Sequence, residues 1–116
     1  MKETGNKIVD LSFQFAFKII KICEILEFQN KKTISNQLLK SGTSIGANIR
    51  EAQHAESKID FIHKLKIAAK EANETEYWLL LIAEVGYLHV ENQTFDLLIQ
   101  IQRLLSTIIS KSKKSI

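Results

Sequence analysis

The run Ser41-Gly-Thr-Ser-Ile-Gly-Ala-Asn-Ile-Arg-Glu-Ala52 constrains this chain more than any other stretch. At helical spacing Ile34, Leu38, Ser41, Ile45, Asn48, Ala52 and Ala55 fall on one seam, with steps of 4, 3, 4, 3, 4 and 3. That is the inward stripe of an amphipathic helix, yet two of its seats hold Ser41 and Asn48. A buried polar group without a partner costs about 1–3 kcal/mol, so both are expected to be buried and hydrogen-bonded. Gly42 and Gly46 lie one turn apart beside the seam, each about 1 kcal/mol worse than alanine in a helix interior. Two such costs in one turn predict that another helix comes very close. The expected neighbour opens after Ser57, where Phe61, Leu65, Ala68, Ala72, Thr75, Leu79 and Ile82 make a second seam with an equally small middle. Antiparallel pairing through a turn near Ser57 sets Ile45 near Ala68 and Ser41 near Ala72. The pair is a tightly packed helical hairpin.

Around it the chain reads as one domain, residues 1–116, long enough for a single core. Apolar residues keep helical spacing nearly throughout and proline is absent, so the class is all-α. The spacing predicts helices over about 6–28, 32–55, 58–85 and 91–111, with short connections, an antiparallel up-down-up-down four-helix bundle. Ser57-Lys-Ile-Asp60 has the form of a capping box opening the third helix, with Asp60 reaching back. Gly86 suits the left-handed residue past that helix's end. In the fourth helix Leu97, Leu98, Ile101, Leu104, Leu105 and Ile108 point inward. Lys111, Lys113 and Lys114 complement its dipole and fray.

The first helix carries more apolar surface than a monomer needs. Leu11, Phe15, Ile19, Ile22 and Leu26 make its inward stripe, while Phe13, Phe17, Ile20 and Phe28 turn well away from it. Left exposed, that second stripe invites association, so Phe13, Phe17 and Ile20 are expected at an oligomer interface.

Composition narrows the function classes. A lone Cys23 excludes an intramolecular disulfide and points to a reducing compartment or to no redox constraint; the expected location is cytoplasmic. The polar N-terminus, and the breaks at Gln14, Lys18 and Lys21, argue against a signal peptide, and no apolar run is long enough to span a membrane. A net charge of +3 permits an anionic partner without demanding one.

No enzyme emerges from the residues. Glu51-Ala-Gln-His54 and Asp60-Phe-Ile-His63 resemble the Glu-x-x-His steps of di-iron bundles. Both lie at the turn between the second and third helices. Asp10 can serve from the first helix at that end, but beyond Leu105 the fourth offers no carboxylate, so the ligand set does not close. Neither a metal nor a cofactor is expected. Cys23 has no histidine near it in sequence and reads as a structural thiol. His89 reads as a solvated turn residue, and Glu71, Glu74 and Glu76 as a solvated or salt-bridging face. Lys18, Lys21, Lys40, Arg50, Lys66 and Lys70 are candidates for phosphate contact, spread over three helices, with Tyr77 and Tyr87 as spare aromatics for base stacking.

Ser41-x-x-Ser44-Ile45-x-x-Asn48-Ile49-x-Glu51-Ala52, then Phe61-x-x-x-Leu65-x-Ile67-Ala68, Glu74-Thr-Glu76-Tyr-Trp-Leu79 and Gly86-Tyr-Leu88 together resemble the bacterial four helix bundle protein family, also called 23S rRNA intervening-sequence proteins. The likeness covers roughly Leu11 to Ile109. Gly46 departs from it, standing where many members have proline. The resemblance implies an up-down bundle assembled as a homopentameric ring, with no established enzymatic activity. It also implies kinship with the accessory protein of diversity-generating retroelements, which binds a reverse transcriptase and has a basic surface suited to nucleic acid. The expected partners are therefore further copies of the chain, then RNA, DNA or a nucleic-acid-processing protein. A ring that scaffolds protein alone is the alternative.

Overall fold

A computed structural model describes residues 3–115. Four helices follow one another: α1 (Lys7–Phe28), α2 (Lys32–Ala52), α3 (Lys58–Val85) and α4 (Asn92–Lys114). Each packs on its neighbours in the order α1, α2, α3, α4 and back to α1, and no Cα atoms of a diagonal pair come within 8 Å. With short connections this is the up-down-up-down bundle expected from the sequence.

Local chemistry sets the helix ends. The Asn6 side chain caps α1 by accepting from the Val9 amide. Ser57 Oγ accepts from the Asp60 amide at 3.0 Å to open α3. The Asp60 carboxylate reaches back to the Glu56 amide at 3.3 Å, one residue before the position a strict capping box uses. Gly86 closes α3 with φ +86°, a left-handed turn that an L side chain rarely adopts. Two boundaries differ from expectation. α2 stops at Ala52, leaving Ala55 in the connection, and α4 continues to Lys114 instead of fraying after Lys111.

The core runs the length of the bundle between Phe15, Ile19 and Leu26 of α1, Leu38, Ile45 and Ile49 of α2, Leu65, Leu79 and Ile82 of α3, and Leu98, Ile101 and Leu105 of α4. The expected seam of α3 is buried from Leu65 to Ile82, though at its start Ile62 is buried and Phe61 only half-buried. On α1, Ser12 and Cys23 are buried while Leu11 and Ile22 are half-buried. Ser41 is buried as expected, and Thr75 donates to its hydroxyl.

Asn48 is a correction. It is half-buried and donates from Nδ2 to the Ser44 carbonyl of its own helix at 2.8 Å, and Ile49 holds the core seat. At 100° per residue the buried arc of α2 runs from Ser41 through Ala52, Ile45 and Leu38 to Ile49 and Gly42, and residue 48 falls just outside its edge. Residue 49 is one full turn after Ile45 and stays on the buried line; residue 48 falls about 100° to its side.

The two glycines also do their work elsewhere than expected. A Cβ on Gly42 would stand 2.7 Å from Cγ2 of Ile19, and one on Gly46 would stand 3.4 Å from the Ser12 carbonyl oxygen. The close neighbour is thus α1, not α3. The α1–α2 contact is clasped further along by Ser35, which donates to the Cys23 carbonyl at 3.2 Å while the Cys23 thiol donates to the Ser35 carbonyl at 3.4 Å. Against α3, Ser41 meets Thr75, one turn beyond the expected Ala72.

Candidate interaction surface

The bundle buries one face of α1 and leaves the other open. Phe13, Phe17 and Ile20 are 42%, 59% and 44% exposed, and Phe28 on the same row is more exposed still. Positions 13, 17, 20 and 28 recur at helical spacing, so they form one strip on the side opposite the buried Phe15, Ile19 and Leu26. Along the strip the surface is creased. One hollow of about 340 Å³ is lined by Glu3, Asp10, Phe13, Gln14, Phe17 and Lys18. A second runs from Phe17, Lys18 and Lys21 to Leu88 and Glu91 beyond α3. The charges here are largely engaged. Lys21 lies 3.4 Å from Glu24 and 5.5 Å from the centre of the Phe17 ring. Asp10 accepts from the Thr4 amide and hydroxyl.

The six cationic candidates do not converge. Lys18 and Lys21 share the hollow beside Phe17. Arg50 is exposed in the α1–α2 crease that also holds Phe13 and Gly46. Lys40 and Lys70 both act on Glu71, whose carboxyl is nonetheless raised above the ordinary range, first by burial and then by Glu74. Lys66 lies apart from these, in a hollow with Ile59, Ile62, His63 and Lys113.

That last hollow contains a grouping that sequence reasoning missed. Because α4 runs on to Lys114, its final turns lie against the start of α3, and Lys58 Nζ donates to Ser115 Oγ at 2.6 Å. Lys58, His63, Lys66 and Lys113 are thereby gathered at one end of the bundle. The only sequence signal was the terminal lysine run, which helix-end reasoning assigns to a fraying cap.

Of the two aromatics read as spare, Tyr77 is exposed, with its ring edge-on to Trp78 at 5.1 Å. Tyr87 is not spare. It is half-buried against the core, and Lys31 Nζ sits 4.6 Å from its ring centre.

Among the described residues, no three His, Cys, Asp or Glu side chains are grouped to hold a metal ion. The carboxylate of Glu51 instead pairs with Lys64 at 3.6 Å. Cys23 is buried, and desolvation pushes its thiol above the ordinary range; Ser35 opposes this and the Glu27 charge adds to it. Such a thiol is a poor nucleophile at neutral pH. No described helix is long and apolar enough to cross a membrane.

Comparison with known proteins agrees with this architecture. A solved structure from Bacteroides thetaiotaomicron, described as a protein of unknown function from the S23 ribosomal protein family, superposes with a TM-score of 0.80 at 45% identity, over 88% of this chain and 97% of that one. No curated protein matches. The profile of the 23S rRNA-intervening sequence proteins matches residues 4–110, nearly the whole bundle from the α1 cap to the last turns of α4. On that match the chain belongs to the 23S rRNA-intervening sequence protein family.

Proposed function

We propose that this protein is a non-enzymatic, self-assembling interaction module of the cytoplasm. The observation that carries the reading is the open strip on α1. Phe13, Phe17 and Ile20 lie outside the buried core, and exposed apolar rows of this kind mark association surfaces. The size of the assembly, five subunits in a ring, rests on the family resemblance alone. Light scattering on a size-exclusion column tests both parts. A mass near five times 13.3 kDa is expected. A monomer at micromolar concentration overturns the reading, and a dimer overturns only the number.

A second reading concerns what the assembly binds. Lys58, His63, Lys66 and Lys113 at one end of the bundle favour a nucleic acid, or a nucleoprotein such as a reverse transcriptase complex. One such patch is small. Repetition around an assembly raises avidity by roughly 10²–10⁴ where the geometry permits simultaneous contact. Affinity of this kind is dominated by phosphate contacts and weakens steeply with salt. Titration of structured RNA, duplex DNA and single strands at two salt concentrations tests it. If none binds at low salt, the assembly scaffolds proteins only.

A further inference from the structure

We infer that the trough between α3 and α4 holds a single nucleic-acid strand, with its phosphates at the lysine end of the bundle and a base at the other end of the trough. The inference rests on the nucleic-acid reading above and adds where the ligand lies and in what form it is taken.

α3 and α4 run antiparallel in one register, marked at one end by Lys58 with Ser115 and further along by Asn73 with Gln102. Between those two contacts α3 rises about 22 Å. The outer side of this seam is open. A hollow of about 270 Å³ lies between Ile59, Lys66 and Lys113, and one of about 620 Å³ runs on from Lys113 past Ser110 and Ser106 to Asn73 and Gln102. Lys113 lines both, so they form one continuous trough.

Its charge is graded along its length. Lys58, Lys66, Lys113 and Lys114 gather at the bundle end, and α4 has no acidic side chain after Asp96. The acids of α3 nearest Lys66 in sequence, Asp60 and Glu71, fall about 120° and 140° round the helix from it. Asp60 is engaged by the Glu56 amide, and Glu71 lies beside Lys40 of α2. The far end of the trough is different. There the Gln102 amide nitrogen donates to Asn73 Oδ1 at 3.2 Å and to Glu76 Oε1 at 3.3 Å. Both its protons are thereby used, which leaves the Gln102 carbonyl oxygen and the Asn73 amide nitrogen without a partner among the described residues.

This gradient selects the ligand. Phosphates suit the lysine end and are disfavoured beside Glu76. An acceptor next to a donor complements the polar edge of a base. Ile59, 70% exposed beside the lysines, offers apolar contact to a sugar. A duplex keeps its bases paired and would bring only phosphates, leaving the amide pair unused; a single strand can turn a base into it. An acidic peptide meets the lysines equally well but brings carboxylates towards Glu76.

Fluorescence anisotropy of the full-length protein tests this with an oligo-uridine strand, a blunt RNA duplex of equal length, and polyglutamate, over a range of salt. The strand is expected to bind more tightly than the other two. Lys113→Gln should flatten its log–log salt dependence by about 0.7, one phosphate contact on a single strand. Asn73→Ala should weaken it by roughly 2- to 10-fold, the worth of one hydrogen bond, with the salt dependence unchanged. Lys32→Gln, at the opposite end of the bundle, should alter neither. All three positions are exposed, and circular dichroism checks that each variant keeps its helices. If the duplex or polyglutamate binds as tightly as the strand, or if Lys113→Gln or Asn73→Ala changes nothing, the trough assignment is wrong and nucleic-acid binding stands. If neither strand nor duplex binds at low salt, both fall.

Discussion

Thr75 of α3 and Ser41 of α2 meet inside the bundle, hydroxyl to hydroxyl at 3.0 Å, and both are fully buried. The Thr75 hydroxyl also lies 2.7 Å from the Glu71 carbonyl, and Ser41 donates on to the Leu38 carbonyl at 3.4 Å. The single Thr75 proton is thus shared between the Ser41 oxygen and the Glu71 carbonyl, while Ser41 has its own acceptor in Leu38. Polar satisfaction is complete among the described residues, with no buried side-chain polar atom left unpaired. Ser41→Ala and Thr75→Val are each expected to cost about 1 kcal/mol in denaturant unfolding. The double variant should lose less than their sum, since the second change removes a bond already broken. Strict additivity would show that the cross-helix bond contributes nothing.

The two glycines of α2 should respond to alanine with opposite signs. At Gly42 the new methyl meets a fully buried, β-branched Ile19 at 2.7 Å, which cannot swing aside. Overpacking of this kind costs about 1–3 kcal/mol and outweighs the roughly 1 kcal/mol gained in helix propensity. At Gly46 the nearest atom is the Ser12 carbonyl oxygen at 3.4 Å, an ordinary contact, so Gly46→Ala should stabilise by several tenths of a kcal/mol or more. Thermal midpoints of the two variants decide the matter.

Cys23 should react with a thiol reagent far more slowly in the native protein than after unfolding. Its folded-state value is raised above the unfolded 9.0, with burial the largest cause. The folded state therefore holds the thiol proton more tightly. The stability linked to this group is fully present below the unfolded value and is lost as pH rises through the folded one. Removing the thiol, as in Cys23→Ala, should flatten the alkaline fall in stability. An unchanged alkaline profile would assign that fall to other groups.

Ser57→Ala should cost about 1 kcal/mol, because the Asp60 amide loses its side-chain acceptor at an exposed helix start. Ser57→Gly should cost less, glycine being tolerated at this position. Equal losses would place the whole effect in the missing side-chain acceptor, with no contribution from the backbone.

Helix count, direction and most of the core were legible in the sequence, because burial on a helix recurs with a fixed period. Leu65, Ala68, Ala72, Thr75, Leu79 and Ile82 stand where periodicity puts them. So does Gly86, since few residues accept the left-handed turn. The surplus strip of Phe13, Phe17 and Ile20 was legible for the same reason: a single helix cannot turn two faces to one core. Rotation and register were not. The buried arc of α2 is turned toward Gly42 and Ile49, which leaves Asn48 at its edge while Ala52 stays inside. No local rule says which neighbour fills the space over a glycine, and packing gave Gly42 to Ile19 of α1. Nor does spacing along the chain bring Lys66 of α3 and Lys113 of α4 into one hollow. That juxtaposition depends on how far α4 runs beside α3, which the packing of whole helices decides.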